Sequence, residues 1–415
     1  MSEWLETTLG DVVELKRGYD LPKSQRTDGT VPIISSSGIS GFHAVSKCRP
    51  PGVVTGRYGT IGEVFFVSED YWPLNTTLYV RDFKGNDPQF IYYFLKLIDY
   101  QSYSDKAAVP GVNRNHLHEA KVRVPKSKRD QSRIAETLGE LDDKIELNRK
   151  TNETLEAMAQ AMFKDWFVDF GPVRRKMEGA SEPSAILGGL LPSYAPNVSE
   201  IADLFPDRLS NNGLPDGWEA GNLSQIIQFN PREQLPRGTI APYLGMSSIP
   251  TSGANPEPPE DKEFGSGMKF KNGDTLFARI TPCLENGKTA FIQCLRDDEI
   301  GWGSTEYIVM RSKGPVPHPV SYLIARSDDF RSKAIQSMTG TSGRQRADAN
   351  AITEFPIAIP TKPDLWSALG AIINPMFERM EHSRRENEAL AETRDYLLPR
   401  LMNGSVSVDG ECSHG

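Results

Sequence analysis

The residues best suited to chemistry are polar side chains crowded between glycines. They fall at SSSGISG (35–41, including Ser36), at Arg57 and Tyr58, at Lys106, and at Asn113 and Arg114. A second set lies at Arg279, Thr341, Ser342, Arg344, Gln345 and Arg346. A guanidinium presents a planar fork of donors that fits a guanine edge. Asn and Gln amides fit adenine, and Lys, Ser and Thr commonly reach phosphate. These residues are therefore candidate DNA contacts. The competing reading is a solvated loop or, for Arg57 and Arg279, an internal ion pair. Because those two arginines recur at matching positions, a shared framework or phosphate role suits them better than distinct base readout. Arg344 and Arg346 are the stronger base-contact candidates.

Other chemistries fit poorly. GKT at 287–289 resembles the end of a phosphate-binding loop, but the glycine required five positions earlier is Pro282. A turn at Glu285-Asn286-Gly287 explains it better. His116 and His118 have no third ligand nearby and read as a surface pair. Asp142 and Lys144 read as a solvated helix face. There is no glycine-rich cofactor loop after a strand and no Asn/Asp-Pro-Pro-Tyr/Phe motif of the amino-methyltransferases. The expectation is a chain without catalytic residues, metal site or cofactor of its own.

Composition agrees with a globular protein, at 38% apolar and 25% charged residues. Four scattered cysteines suggest neither a disulfide framework nor a zinc site. No apolar run approaches the roughly 20 residues of a membrane span, and MSEWLETTLG lacks signal-peptide character, so no membrane contact and a cytoplasmic location are expected. A net charge of −8 argues against a protein that coats nucleic acid alone. Residues 1–125 balance 14 basic against 14 acidic side chains, whereas 126–170 and 361–415 are acidic.

The elements that must position the polar loops are written twice. Trp4 and Leu9 match Trp218 and Leu223 at an offset of 214, and VPII (31–34) matches APYL (241–244) at 210. Arg57 matches Arg279 at 222, and NTTLYV (75–80) matches STEYIV (304–309) at 229. From Asn115/Asn350 the offset locks at 235, through Glu119/Glu354, Pro125/Pro360 and Asn152/Asn387. The drift means loops of unequal length; the constant offset means a rigid element.

That element is a helix. Ile134, Leu138, Leu141, Ile145, Asn148, Asn152, Leu155, Ala159, Met162 and Trp166 alternate four- and three-residue spacings, and the same seam runs from Leu369 to Leu401. Such a repeat marks coiled-coil packing, and some 40 residues make a rod of about 60 Å. Antiparallel pairing would set Asn148 opposite Asn387 and Asn152 opposite Ser383, polar residues that lower stability but fix register. Trp166, Phe167 and Phe170 end the first helix with more aromatic surface than a thin rod needs. They are either packed internally or a docking patch for a partner.

The remaining segments read as mixed α/β, with short β-rich runs between Gly- and Pro-rich turns. The expected boundaries are 1–127 and 214–362 for two α/β domains, 128–170 and 363–404 for two long helices, 171–213 for a linker, and 405–415 for a disordered tail.

With these features in order, the sequence resembles the specificity subunit of type I restriction–modification enzymes over essentially its whole length. The resemblance rests on the VRVP/IAIP-to-helix junctions, GRYGTIGEV (56–64), TPCLENGKTAF (281–291), GVNRNHL (111–117) and GTSGRQR (340–346). MFKDWFVDFGPVRRKMEG (162–179) and LPDGWE (214–219) add to it. It implies an α+β fold of two target-recognition domains joined by two long antiparallel coiled-coil spacer helices, with an internal pseudo-two-fold repeat. It also implies a non-catalytic subunit reading an asymmetric bipartite site in double-stranded DNA, in a bacterial or archaeal cytoplasm. Its implied partners are two methyltransferase subunits and restriction subunits, which would carry S-adenosylmethionine, ATP and Mg. The alternative from residues alone is a two-headed coiled-coil adaptor for proteins or glycans.

Overall fold

The structure, a computed structural model, describes residues 3–104, 111–191, 197–341 and 344–407. The chain divides into two units, one of Met1–Glu146 with Asn387–Gly415, the other of Leu147–Glu386. The second is therefore inserted, in chain order, within the first. Each long helix contributes one part to each unit.

The first unit contains strands β1 (Trp4–Thr8), β2 (Glu14–Arg17), β3 (Val31–Ser35), β4 (Gly38–His43) and β5 (Gly52–Gly56). It continues with β6 (Val64–Val67), β7 (Trp72–Pro73), β8 (Thr77–Asp82) and β9 (Lys121–Pro125). They form the pair β1-β9, an antiparallel sheet β2-β8-β5-β6, and a small sheet β4-β3-β7. The helix Pro88–Leu95 starts at Asp87, whose carboxylate accepts from the amides of Gln89 and Phe90, and it buries Phe90, Ile91 and Phe94. Ile134 and Leu138 of the first long helix and Leu398 and Leu401 of the second complete the same core.

The second unit contains β10 (Trp218–Asn222), β11 (Ile227–Phe229), β12 (Ile240–Leu244), β13 (Glu260–Glu263) and β14 (Met268–Phe270). Then come β15 (Asp274–Ala278), β16 (Thr289–Phe291), β17 (Gly301–Gly303), β18 (Tyr307–Ser312) and β19 (Pro356–Pro360). Its sheets are β10-β19, β11-β18-β15-β16 and β13-β12-β17-β14. Strand for strand this repeats the first unit, with β14 added at one edge.

Strand register sharpens the repeat. Ile33 lies beside Trp72, and Tyr243 beside Trp302, in a parallel strand pairing of each unit. Gly56 faces Thr77 as Ala278 faces Tyr307. Thr77 thus corresponds to Tyr307, and Thr76 to Glu306, one residue away from the match drawn by aligning NTTLYV with STEYIV.

The long helices are Lys128–Phe167 and Asp364–Asn403, 40 residues each. No seam residue in either is exposed. Within the second unit Asn148 donates to Glu386 Oε2 at 2.8 Å and Asn152 to the Met380 carbonyl at 3.1 Å. Phe167 stacks on Trp366 with centroids 4.2 Å apart. As one helix ascends its partner descends, so the pairing is antiparallel. The second helix also runs through Pro375 and Pro399, a departure from its expected regularity. Pro375 cannot donate to the Ala371 carbonyl, and Ala371 and Pro375 are both exposed.

Residues 171–213 are more than a linker. Short helices at Gly171–Met177, Pro183–Ile186 and Val198–Asp203 bury Val173, Ile186, Ile201 and Phe205 in the second unit's core. Arg175 forks onto Asp165 at 2.6 and 3.0 Å. No helix among the described residues is long and apolar enough to cross a membrane.

Candidate nucleic-acid interface

In the first unit three chain segments converge at the end of β5. The turn after β3 brings Ser36 against the following loop, where a Cβ on Gly59 would lie 3.4 Å from Ser36 Oγ. Arg57 directly follows β5. Its amide donates to the Thr76 carbonyl at 2.9 Å, and its own carbonyl accepts from the Val112 amide at 3.1 Å. The side chain is anchored too: Nε donates to the Val112 carbonyl at 3.2 Å, and the guanidinium lies 4.6 Å from the Tyr58 ring centroid. Tyr58 bridges to Gly111, where any side chain would strike its ring. Asn113 caps the helix Arg114–His118 by accepting the Asn115 amide at 3.0 Å, and Arg114 is exposed. Ser36, Arg57, Tyr58, Asn113 and Arg114 thus belong to one neighbourhood. Lys106 lies outside the described residues.

The second unit builds the same junction. The Arg279 amide donates to the Glu306 carbonyl at 3.0 Å, and its carbonyl accepts from the Ala347 amide at 2.8 Å. These bonds correspond one for one to those of Arg57 with Thr76 and Val112. Ile280 bridges to Arg346, and the Thr281 amide donates to the Gln345 carbonyl at 3.1 Å. The Arg344 amide donates to the Thr341 carbonyl at 3.0 Å, and both residues are exposed. Ser342 lies outside the described residues.

The side chains at this second junction differ in kind. Arg346 grips both oxygens of Glu306, Nε at 2.8 Å and Nη2 at 2.6 Å, and Arg279 Nε adds a contact at 3.3 Å. Those guanidiniums, hydrogen-bonding from Arg346 foremost, hold the Glu306 carboxyl below the usual carboxylate range. The internal ion pair weighed for Arg279 is present. Arg57 has a carbonyl and a ring in its place. Glu306 was not singled out from the sequence, because an acid beside proposed anion contacts looks out of place until the strand register is known.

At the end of the first long helix the aromatic cluster takes the internal-packing alternative. Trp166 and Phe167 are 0% and 2% exposed. Trp166 packs edge-on against Phe205, and Phe167 stacks on Trp366, so neither is a surface for a partner. Phe170 turns the chain in the left-handed region at φ 55° and packs edge-on against Trp218. The seam residues divide. Asn148, Asn152 and Ser383 lie in the second unit, where Asn152 bonds the Met380 carbonyl one turn before Ser383; Asn387 belongs to the first unit. His118 is not half of a surface pair either: it is half-buried, and its Nε2 accepts the Leu15 amide at 2.9 Å. Among the described residues no three His, Cys, Asp or Glu are grouped to hold a metal ion.

Residues 1–157 match the family model described as "Type I restriction modification DNA specificity domain". The chain is 24% identical over 400 residues to the type I restriction enzyme HindI specificity subunit of Haemophilus influenzae, covering 83% of this chain and 84% of that protein. It is 22% identical over 359 residues to the MjaIX specificity subunit of Methanocaldococcus jannaschii, covering 81% and 74%. The crystal structure of a type I restriction–modification S subunit from M. genitalium shares the fold, with a TM-score of 0.58 at 16% identity over 97% of this chain and 96% of that one.

Proposed function

We infer that the chain belongs to the specificity subunits of type I restriction–modification systems and reads DNA sequence with two copies of one recognition unit. The observation that carries this is the duplicated junction. Arg57 and Arg279 sit on identical main-chain frames, while the surrounding side chains differ. A conserved frame with divergent side chains suits a reader of two unlike half-sites, hence an asymmetric bipartite target in double-stranded DNA. The two-headed adaptor has no support among the matched relatives.

The chain is a non-catalytic subunit in this reading. Two methyltransferase subunits supply adenine methylation with S-adenosylmethionine, and restriction subunits supply Mg- and ATP-dependent cleavage. Its net charge of −8 is compatible with that division, because partner subunits provide much of the phosphate contact. The long helices set how many base pairs between the half-sites go unread.

The test is co-expression with a methyltransferase partner, co-purification, and mapping of methylated adenines. A bipartite motif is expected, and four residues inserted into the first long helix should change its spacer and leave its half-sites alone. A continuous motif, or an unchanged spacer, would refute this account.

A further inference from the structure

We propose that Glu306 is a positioning residue for base readout in the second unit, holding Arg279 and Arg346 so that Arg346 reads a guanine edge. The proposal rests on the DNA-reading function inferred above.

The two junctions share their main-chain bonds, so the natural comparison for Glu306 is Thr76, which occupies its place in the first unit. Among the described residues, only the second unit sets a carboxylate beneath its arginines. Glu306 is the most enclosed of the three side chains, 20% exposed against 34% for Arg279 and 43% for Arg346. The acid therefore anchors the guanidiniums from the protein side. It takes Nε and Nη2 of Arg346 and Nε of Arg279. Among the described residues, no acceptor takes Nη1 of Arg346 or either terminal nitrogen of Arg279.

This arrangement has two consequences for recognition. An arginine already fixed at one end loses less side-chain freedom when it meets a base, so its hydrogen bonds discriminate more sharply. The carboxylate also offsets one of two positive charges, which weakens sequence-independent attraction to phosphate relative to base contact.

The experiment compares complexes of the full chain with its methyltransferase partner, carrying wild-type sequence, Glu306→Gln or Arg346→Lys, by genome-wide mapping of methylated adenines. Both variants are expected to relax discrimination at the same guanine in one half-site, by about ten- to one-hundredfold, leaving the other half-site intact. Should Glu306→Gln not yield soluble chain, Glu306→Asp keeps the charge but draws it back by one methylene, and the same mapping reads it. An unchanged motif, equal relaxation of both half-sites, or relaxation at different positions in the two variants would overturn the positioning role. A wild-type complex without any defined motif would overturn the DNA-reading inference itself.

Discussion

Arg394 donates Nη1 to Asp142 Oδ1 at 2.6 Å, joining the two long helices inside the first unit. Tyr93 donates its hydroxyl to the other oxygen of Asp142 at 2.7 Å, so one carboxylate ties both helices to the α/β core. What reads in sequence as a solvated helix acid is a three-way junction. Asp142→Ala strands the Tyr93 phenol and leaves the part-buried Arg394 guanidinium with Asp395 alone. A loss of about 1.5–3 kcal/mol is expected from urea denaturation. An unchanged midpoint would show that water replaces the carboxylate without cost.

Ser383 is fully buried, and its hydroxyl has no partner among the described residues; the same holds for Asn152 Oδ1 and Asn255 Oδ1. Asn152 and Asn255 both donate to the Met380 carbonyl at 3.1 Å, so the polar centre of the seam is only half satisfied. Removing an orphaned buried hydroxyl removes its desolvation cost. Ser383→Ala is therefore expected to raise stability by about 1–2 kcal/mol. A destabilised variant would point to a water held there by the serine.

Phe167 distinguishes burial from docking. Stacked on Trp366 and tilted over Trp218, it fills a space that a smaller side chain cannot. Phe167→Ala should cost about 3–5 kcal/mol in chemical denaturation of the chain alone. Full stability with loss of partner binding would restore the docking role.

His118 predicts an acid sensitivity. Burial, reinforced by Arg114 and Lys84, holds its imidazole below the ordinary value of 6.5. The folded state thus favours the neutral ring, whose Nε2 accepts the Leu15 amide. The sign follows: this contribution is complete above about pH 6.5 and is lost as pH falls through the lower folded value. His118→Gln should show a flatter decline in urea midpoint between about pH 7 and 5 than the native chain. Parallel curves would remove His118 as the cause.

The long helices were legible because a seam of ten positions is over-determined, and their observed span of 40 residues each follows. The repeat was legible where loops are short. At Glu306 it slipped by one residue, since strand pairing and not residue similarity decides which side chains correspond. Convergence of Ser36, Arg57 and Asn113 was hidden because they are far apart in sequence and meet only through β5 and its neighbours. Composition misled at 171–213, where Pro, Gly and Ser suggest a tether. Sparse apolar residues such as Val173, Ile201 and Phe205 suffice to pin that segment down.

The chain order of the two units has a consequence for biosynthesis. Leu398, Leu401 and Met402 close a core begun by Leu9 and Val12, whereas the inserted unit is complete once Glu386 has been made. At roughly 5–20 residues per second, synthesis of the insertion takes on the order of 10–50 s. Throughout that interval the N-terminal half waits on the ribosome with an unfinished core. A chain truncated at Glu386 would therefore hold one complete unit and one exposed apolar face.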